Sequence, residues 1–308
     1  MHIGTVEQIW RYPVKSMAGE RLGTCSVQAR GITGDRGWAL RDEVAKEITN
    51  GKRIPHLMHC AVQYREEPDE NSIPQVDIAF RDGTRIASDD PGVNARLSEV
   101  LGKTVSLWPL QPASNKTHYR RAKFGARLAG RLSKFEGFRS ILPALTSFGS
   151  MNVAVREAFS READEPIPDI SILPPEVLEF TSPPGTYFDA FPIHLLTTAS
   201  LAAMSKYNPT AIWDVRRFRP NFLIKTVDGA DGLVELEWSG RTLRIGGVEL
   251  KCEIPTARCG MTTHSQPGLP KDSSILRSIV KDAEQNLGMY ANVSMSGKVF
   301  EGDHVELL

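Results

Sequence analysis

The residue in this chain best suited to do chemistry is a cysteine that follows a predicted strand. Residues 248–254 alternate apolar and charged side chains, and Pro255 has no N–H to donate, so we expect the strand to end there. Cys259 follows in a segment without apolar periodicity, directly after Arg258. Because a neighbouring guanidinium favours the thiolate, Cys259 is a candidate nucleophile or metal ligand. Cys252, on the apolar side of the strand, is predicted to be a core residue.

Other polar residues lie where predicted strands begin or end. Lys15 and Ser16 follow the first strand, Arg36 lies at a glycine-punctuated turn, and Arg219 and Asn221 precede a strand. Taken singly, each is most simply a solvated side chain or an ion-pair partner. The arginines could also bind a phosphate, because the planar guanidinium matches phosphate oxygens.

Short strands are the elements that must position these residues. We predict strands over residues 3–12, 23–28, 75–80, 104–110, 192–198, 235–238, 242–245 and 248–254. Many short strands with regular turns are typical of barrels and sandwiches. We therefore expect a mainly β fold with some α-helix, including one helix that ends at Gly102 and one that follows Asp272.

The middle of the chain, residues 113–186, has a different composition. Its first part is basic over Lys116–Arg139, and its second part is acidic and rich in proline. Two interpretations stay open: a solvated amphipathic helix followed by a surface linker, or a basic docking surface or lid over an active site.

Bulk properties narrow the class of protein. The 308 residues suffice for one large or two ordinary domains, and the formal net charge of zero does not favour nucleic acid or an acidic membrane. The four cysteines form no C-x-x-C pair, which suits a reducing compartment. The sequence contains neither a secretory leader pattern nor an apolar run long enough to cross a membrane. We expect a soluble cytoplasmic protein that binds neither nucleic acid nor a membrane.

Four separated segments together resemble the MOSC family, in order and at suitable spacing. They are Tyr12–Ser16, Gly34–Arg36, Phe218–Asn221 and Arg258–Cys259, the last with Thr262 and Thr263. The resemblance is greatest to the amidoxime-reducing members of that family. It implies a MOSC N-terminal β-barrel domain at residues 1–112, a connecting segment at 113–186 and a MOSC β-barrel domain at 187–308, with a cofactor cleft between the two domains.

The resemblance also implies a cofactor, molybdenum-molybdopterin (Mo-MPT). Cys259 is then the metal ligand and the catalytic residue, since a soft thiolate suits a metal held by dithiolene sulfurs. The implied cofactor-binding residues are Lys15, Ser16, Arg36, Arg219, Asn221, Thr256 and Arg258. The chain departs from the family pattern at Ala190, Phe191 and Ala257, where hydroxyl side chains are common, so pterin contacts there would shift to other groups.

The implied activity is reduction of N-oxygenated compounds, such as N-hydroxylamines or amidoximes. Electrons would come from a separate donor protein, a ferredoxin-, flavin- or cytochrome-type reductase. Two alternatives stay open: sulfur transfer through a persulfide on Cys259, and a non-catalytic molybdopterin-binding protein. His264 is either a proton donor at the substrate entrance or a solvent-exposed loop residue.

Overall fold

The computed structural model describes residues 1–70, 72–122, 124–147 and 149–308. Over these residues the strands are β1 (His2–Arg11), β2 (Glu20–Leu22), β3 (Thr24–Gln28), β4 (Gly31–Ile32), β5 (Trp38–Asp42), β6 (Glu47–Ile48), β7 (Ala61–Tyr64), β8 (Val76–Ala79), β9 (Arg85–Ala87), β10 (Val105–Pro109), β11 (Ile193–Thr197), β12 (Phe222–Thr226), β13 (Thr242–Ile245), β14 (Val248–Ala257), β15 (Asn286–Met295), β16 (Gly297–Phe300) and β17 (His304–Leu307). The α-helices are α1 (Val93–Leu101), α2 (Lys116–Tyr119), α3 (Phe124–Leu132), α4 (Glu136–Thr146), α5 (Gly149–Phe159), α6 (Pro175–Glu179), α7 (Thr198–Tyr207) and α8 (Ser274–Asp282).

Seven strands close into a barrel. Their order is β12–β11–β15–β14–β13–β17–β1, and β1 pairs with β12 to complete the ring. Strand β2 pairs with the last three residues of β1, Ile9–Arg11. Alternate side chains along the strands point inward, so that Ile9, Leu195, Ile224, Leu250 and Met289 are buried in one core. Burial of such side chains contributes about 1.5–3 kcal/mol each. Cys252 lies in this core, as predicted.

The first half of the chain contributes a second core. Two three-stranded sheets, β10–β5–β6 and β7–β8–β9, enclose it together with α1. Val14, Leu40, Val62, Ile78 and Leu97 are among its buried residues. The prediction of a mainly β fold with some α-helix is confirmed.

The connecting segment is folded rather than extended. Helices α4 and α5 pack around a small core of Leu142, Val155 and Ile170. Tyr119 and Tyr187 tie the two ends of the segment to the β5 sheet. The interpretation of the acidic, proline-rich part, residues 162–184, as a surface linker is therefore wrong, because Ile170 and Phe180 within it are buried.

Two local predictions are wrong for identifiable reasons. Strand β14 continues through Pro255 to Ala257, because irregularities in its pairing with β15 on both sides of Pro255 accommodate the missing N–H donor. The strand predicted over 235–238 is instead a 3₁₀ helix (Val234–Trp238). That turn directs the Glu235 carboxylate inward, where it accepts hydrogen bonds from the hydroxyls of Thr197 and Ser200.

Candidate functional site

One cleft brings together all eight residues that the sequence singles out. Its lining includes Lys15, Ser16, Arg36, Arg219, Asn221, Thr256, Arg258 and Cys259. They come from four places in the fold: the exit of β1, the turn before β5, the turn before β12 and the end of β14. The predicted residues therefore share one location, and their roles there remain predictions.

Lys15 is a buried cation that joins the two halves of the chain. Its backbone N–H donates to the carbonyl of Trp38 at 2.8 Å, which fixes the chain as it leaves β1. Its ammonium donates to Asp189 Oδ1 at 2.5 Å and to the carbonyl of Tyr187 at 2.8 Å. Burial lowers the pKa of Lys15, and the Asp189 carboxylate opposes that shift. Ser16 follows with its backbone in the left-handed region (φ 68°).

Two arginines stand against the ring of Tyr12. The guanidinium carbon of Arg219 lies 4.0 Å from the ring centroid and that of Arg36 lies 5.2 Å from it. Arg36 also pairs with Asp35, whose other contacts include the N–H of Tyr12 and the Asn221 amide. Such cation–π contacts hold guanidiniums in place inside the protein. Burial lowers the pKa of Arg219 to about 10, so it remains charged at neutral pH.

Asp189 supplies negative charge to this cluster. Although protein atoms surround it, its side chain is 67% exposed, because it faces the open cleft. Burial raises the pKa of its carboxyl, but Lys15, Arg36 and Arg219 together lower it far more. Two carboxylates, Asp35 and Asp189, among these three cations still leave the cluster with net positive charge.

The end of β14 presents the cysteine. Its pairing with β15 ends at Ala257, and the N–H of Arg258 then donates to the carbonyl of Gln285 at 2.9 Å. The Cys259 carbonyl accepts the N–H of Thr262 at 3.2 Å and its hydroxyl at 3.1 Å. The thiol itself is partly exposed in the cleft.

Arg258 extends over the barrel toward β11. Its Nη2 donates to the carbonyl of Phe218 at 2.8 Å, and its Nη1 lies 3.3 Å from Nε2 of His194. Burial, followed by the charge of Arg258, lowers the pKa of His194 well below its usual range. His194 is therefore neutral, and it can accept a hydrogen bond from Arg258.

Asn221 is bound internally. It is fully buried, its Oδ1 accepts the N–H of His194 at 3.0 Å, and its Nδ2 lies within hydrogen-bond distance of Trp10 O and Asp35. Its amide thus links β1 to β11 beneath the cleft and leaves little capacity for a ligand.

Several cleft residues lie outside the sequence prediction, among them Asp189 and His194. Asp189 carried no signal, because an acidic residue before a strand is ordinary. His194 did carry one: it is the only charged or ionisable side chain in the apolar strand β11, and a buried polar group needs a partner. His264 is half-buried rather than solvent-exposed, and it is not among the residues that line the cleft.

Comparison with protein families covers most of the chain. Residues 3–106 match the MOSC N-terminal beta barrel domain and residues 184–306 match the MOSC domain. The chain belongs to the MOSC family. Neither domain of this MOSC protein includes residues 107–183.

Curated relatives of this MOSC protein are amidoxime reducing components. Mitochondrial amidoxime reducing component 2 of Bos taurus is 25% identical over 266 residues, which are 85% of this chain and 66% of that protein. The rat (Rattus norvegicus) component 2 is 26% identical over 324 residues, 98% of this chain and 83% of that protein. The human (Homo sapiens) component 1 is 25% identical over 265 residues. The chain spans about two thirds of the length of the bovine and human relatives.

A solved structure, the YUAD protein from Bacillus subtilis, aligns with 99% of this chain and 95% of its own, at 11% identity and a TM-score of 0.42. In the described part of this MOSC protein, no helix combines the length and apolar composition needed to cross a bilayer.

The cleft fits an anionic, polar cofactor that carries a soft metal. Three buried donors on its wall have no hydrogen-bond partner: Arg219 Nη2, Thr256 Oγ1 and Arg258 Nε. A buried polar group without a partner costs about 1–3 kcal/mol, so donors left open in one cleft point to a missing acceptor. The described residues contain no group of three His, Cys, Asp or Glu side chains that could hold a metal ion.

Proposed function

We propose that this protein binds a molybdenum-molybdopterin cofactor in the cleft and reduces N-hydroxylated compounds with electrons from a separate donor protein. The observation that carries the proposal is the presence of unpartnered donors in the cleft that also contains Cys259. Arg219 Nη2, Thr256 Oγ1 and Arg258 Nε lack partners in the same cleft as the partly exposed Cys259. MOSC-family membership and the names of the curated relatives support the same assignment.

Each residue has a distinct part in this proposal. Cys259 ligates the metal through its thiolate. Arg219 and Arg258 donate through their open nitrogens to phosphate and pterin oxygens, and Lys15 and Arg36 add positive charge. Thr256 donates its hydroxyl, which takes over from the hydroxyls absent at Ala190, Phe191 and Ala257. Asn221 contributes indirectly, because its side-chain oxygen accepts the His194 N–H and so fixes the backbone at His194.

The bound cofactor supplies the two-electron redox chemistry, while the protein positions it and sets its electrostatic surroundings. Reduction of an amidoxime consumes two electrons and two protons, breaks the N–O bond and releases an amidine and water. Phe188, Phe191 and Tyr290 line the cleft and give the substrate an apolar surface. The rings of Phe191 and Tyr290 lie 5.4 Å apart. Because burial lowers the pKa of His194, this neutral imidazole is a poor proton donor, and the protons are expected to come from water.

Turnover with a chemical reductant tests the proposal without the unknown donor protein. Protein from a host that makes the molybdenum cofactor, reduced with viologen and dithionite, is expected to convert benzamidoxime to benzamidine. Cys259→Ser is expected to lose at least about a hundredfold in rate, since the metal loses its protein ligand. Cys60→Ala, which changes a buried cysteine of the N-terminal core, serves as the control and should retain turnover. Molybdenum-loaded protein that reduces no N-hydroxylated compound would contradict the proposal.

Sulfur transfer is the second candidate, because Cys259 is partly exposed in a cleft that is lined by arginines. Mass spectrometry of the intact protein after incubation with a persulfide donor distinguishes the two. A stable added sulfur atom on Cys259, together with absent molybdenum, would favour transfer over reduction.

A further inference from the structure

The connecting segment contacts the loop that carries Cys259. Helix α5 ends at Phe159, and the next two residues turn toward the end of β14. These residues lie outside both family domains, which cover 3–106 and 184–306. Contacts made here are consequently a feature of this chain's own segment.

Arg161 holds the backbone just before the cysteine. It is buried, with 7% of its surface exposed, and its Nη2 donates to the Arg258 carbonyl at 3.0 Å. Its Nε donates to Gln285 Oε1 at 3.1 Å. The Gln285 carbonyl accepts the N–H of Arg258. Arg161 and Gln285 together therefore bind both the N–H and the carbonyl of Arg258.

The Ser160 side chain packs closely against Gly260, just after the cysteine. A Cβ atom at Gly260 would overlap the Ser160 side chain, so a larger residue there would force Ser160 to move. The Ser160 backbone lies in the left-handed region, at φ 56°. Two consecutive residues of the segment therefore contact the residues on either side of Cys259.

The turn at residues 158–160, which ends α5, is also held by residues from both ends of the chain. Lys52 Nζ, from the N-terminal half, donates to the carbonyl of Ala158 at 2.5 Å. Arg277, from α8, donates to the carbonyl of Ser160 at 2.5 Å and pairs with Glu165. The turn at residues 158–160 is thus held in place by contacts that do not involve Arg161.

Arg161 also carries a charge, and it forms no ion pair with a carboxylate of the described residues. Its hydrogen-bond acceptors are the carbonyls of Arg258 and Phe159 and the Gln285 amide oxygen, all uncharged. Burial lowers the pKa of Arg161 to about 10, and the charges of Glu165 and Cys259 oppose that shift. The guanidinium remains protonated at neutral pH and acts electrostatically on the sulfur of Cys259.

We propose that Arg161 is a positioning residue of the Cys259 site, which fixes the backbone on one side of the cysteine and maintains a positive potential at its sulfur. The connecting segment is then part of the functional site. The inference concerns the loop itself, so it does not depend on whether the protein reduces N-hydroxylated compounds or transfers sulfur.

Two readouts on the cofactor-free, full-length protein test it. The first is hydrogen–deuterium exchange of the amides at 258–260. The second is the ratio of Cys259 alkylation rates with anionic iodoacetate and neutral iodoacetamide at one pH, which reports the local potential rather than backbone order. Arg139 provides the matched control, since it donates to the carbonyls of Ser171 and Leu173 within the same segment.

Arg161→Met is expected to speed exchange at 258–260 by about tenfold, the effect of losing a pair of hydrogen bonds. It is expected to lower the iodoacetate-to-iodoacetamide ratio by about threefold or more. Arg161→Lys keeps the charge but lacks the planar guanidinium. It should therefore have the wild-type alkylation ratio, while its amides at 258–260 still exchange faster than in the wild type. Arg139→Met should match wild type in both readouts.

Wild-type exchange and a wild-type ratio in Arg161→Met would overturn the proposal. If that variant does not fold, Arg161→Lys decides the backbone role by its exchange rate, and wild-type protection at 258–260 would again overturn it. An iodoacetate-to-iodoacetamide ratio in Arg161→Lys as low as that expected for the uncharged Arg161→Met would overturn the electrostatic part of the proposal.

Discussion

At the scale of the residue, the cleft concentrates unusual backbone conformations. Ser16, Arg36 and Arg219 have φ values of 68°, 52° and 54°, in the left-handed region. Ser160 and Gln285, which flank the Cys259 loop, share that feature. A left-handed conformation costs a non-glycine residue about 1–2 kcal/mol. Retaining such residues where glycine would be easier indicates that their side chains are needed there.

The unpartnered hydroxyl of Thr256 predicts opposite effects on stability and on cofactor retention. Thr256→Val keeps the shape and removes a buried group without a hydrogen-bond partner. The cofactor-free protein is expected to gain about 1 kcal/mol in unfolding free energy, because an unpaired polar group no longer has to be desolvated. The cofactor-loaded protein is expected to release its molybdenum faster, because one donor is lost. Urea unfolding and timed metal analysis measure the two effects.

Thr49 is the control for that experiment. Its hydroxyl is also buried without a partner, but Thr49 is not among the residues that line the cleft. Thr49→Val should stabilise the protein similarly and leave metal retention unchanged. A Thr256→Val variant that behaves like Thr49→Val would show that the hydroxyl does not face the cofactor.

Residue types and their order predicted a common site only through the family resemblance. Spacing alone left Lys15, Arg36 and Arg219 as ordinary ion-pair partners, because they are far apart in sequence. Arg161 gave no signal: it follows an amphipathic helix in a segment without a family match. Its role depends on how the segment packs, which local patterns do not specify.

At the scale of the element, the positions of turns decide which polar groups are buried. The 3₁₀ helix at Val234–Trp238 directs Glu235 toward the N-terminus of α7, where Thr197 accepts the Ser200 N–H. Sequence alternation indicated a strand here, because Glu235 and Glu237 occupy alternate positions. The structure instead buries Glu235 and exposes Glu237, and satisfaction of the Thr197 and Ser200 hydroxyls accounts for the difference.

Glu235 predicts a pH dependence of stability. Burial raises the pKa of its carboxyl, against the effect of the Ser200 and Thr197 hydroxyls. Its neutral form therefore contributes stability fully below the unfolded-state pKa of about 4.3, and that contribution is lost as the pH rises through the folded-state pKa. Glu235→Gln cannot ionise, so its stability relative to wild type is expected to increase from pH 5 to pH 8. Urea unfolding of the cofactor-free protein at both pH values measures this.

Glu237→Gln changes an exposed residue of the same 3₁₀ helix. Its unfolding free energy should change with pH in the same way as that of the wild type. Equal pH dependence of the Glu235→Gln variant and the wild type would mean that the carboxyl ionises freely in the fold.

At the scale of the whole molecule, the two halves are interleaved. Strand β1, from the first residues of the chain, fills the place between β12 and β17 in the barrel. Strand β3 pairs with β16 in a similar way. Periodicity predicted these strands well, but long-range pairing is not encoded in local pattern. The domain limits at 112 and 187 thus remain a prediction, and they do not mark independently closed units.

A fragment of residues 187–308 is expected not to fold alone. Without β1 the barrel has two open edges, at β12 and β17, and such edges expose unpaired backbone groups and apolar surface. Circular dichroism and gel filtration should show an unfolded or aggregated fragment. Co-expression with residues 1–186 should restore a soluble complex. A monomeric, cooperatively folded 187–308 fragment would contradict the interleaved barrel.

The central claim is that Cys259 and the surrounding cations hold a molybdenum cofactor. Elemental analysis of wild type and Cys259→Ala, both expressed in a host that makes the cofactor, tests it most directly. We predict near-stoichiometric molybdenum in the wild type and little in the variant, with unchanged circular dichroism. Folded wild-type protein without molybdenum, or equal molybdenum in the two proteins, would contradict the assignment.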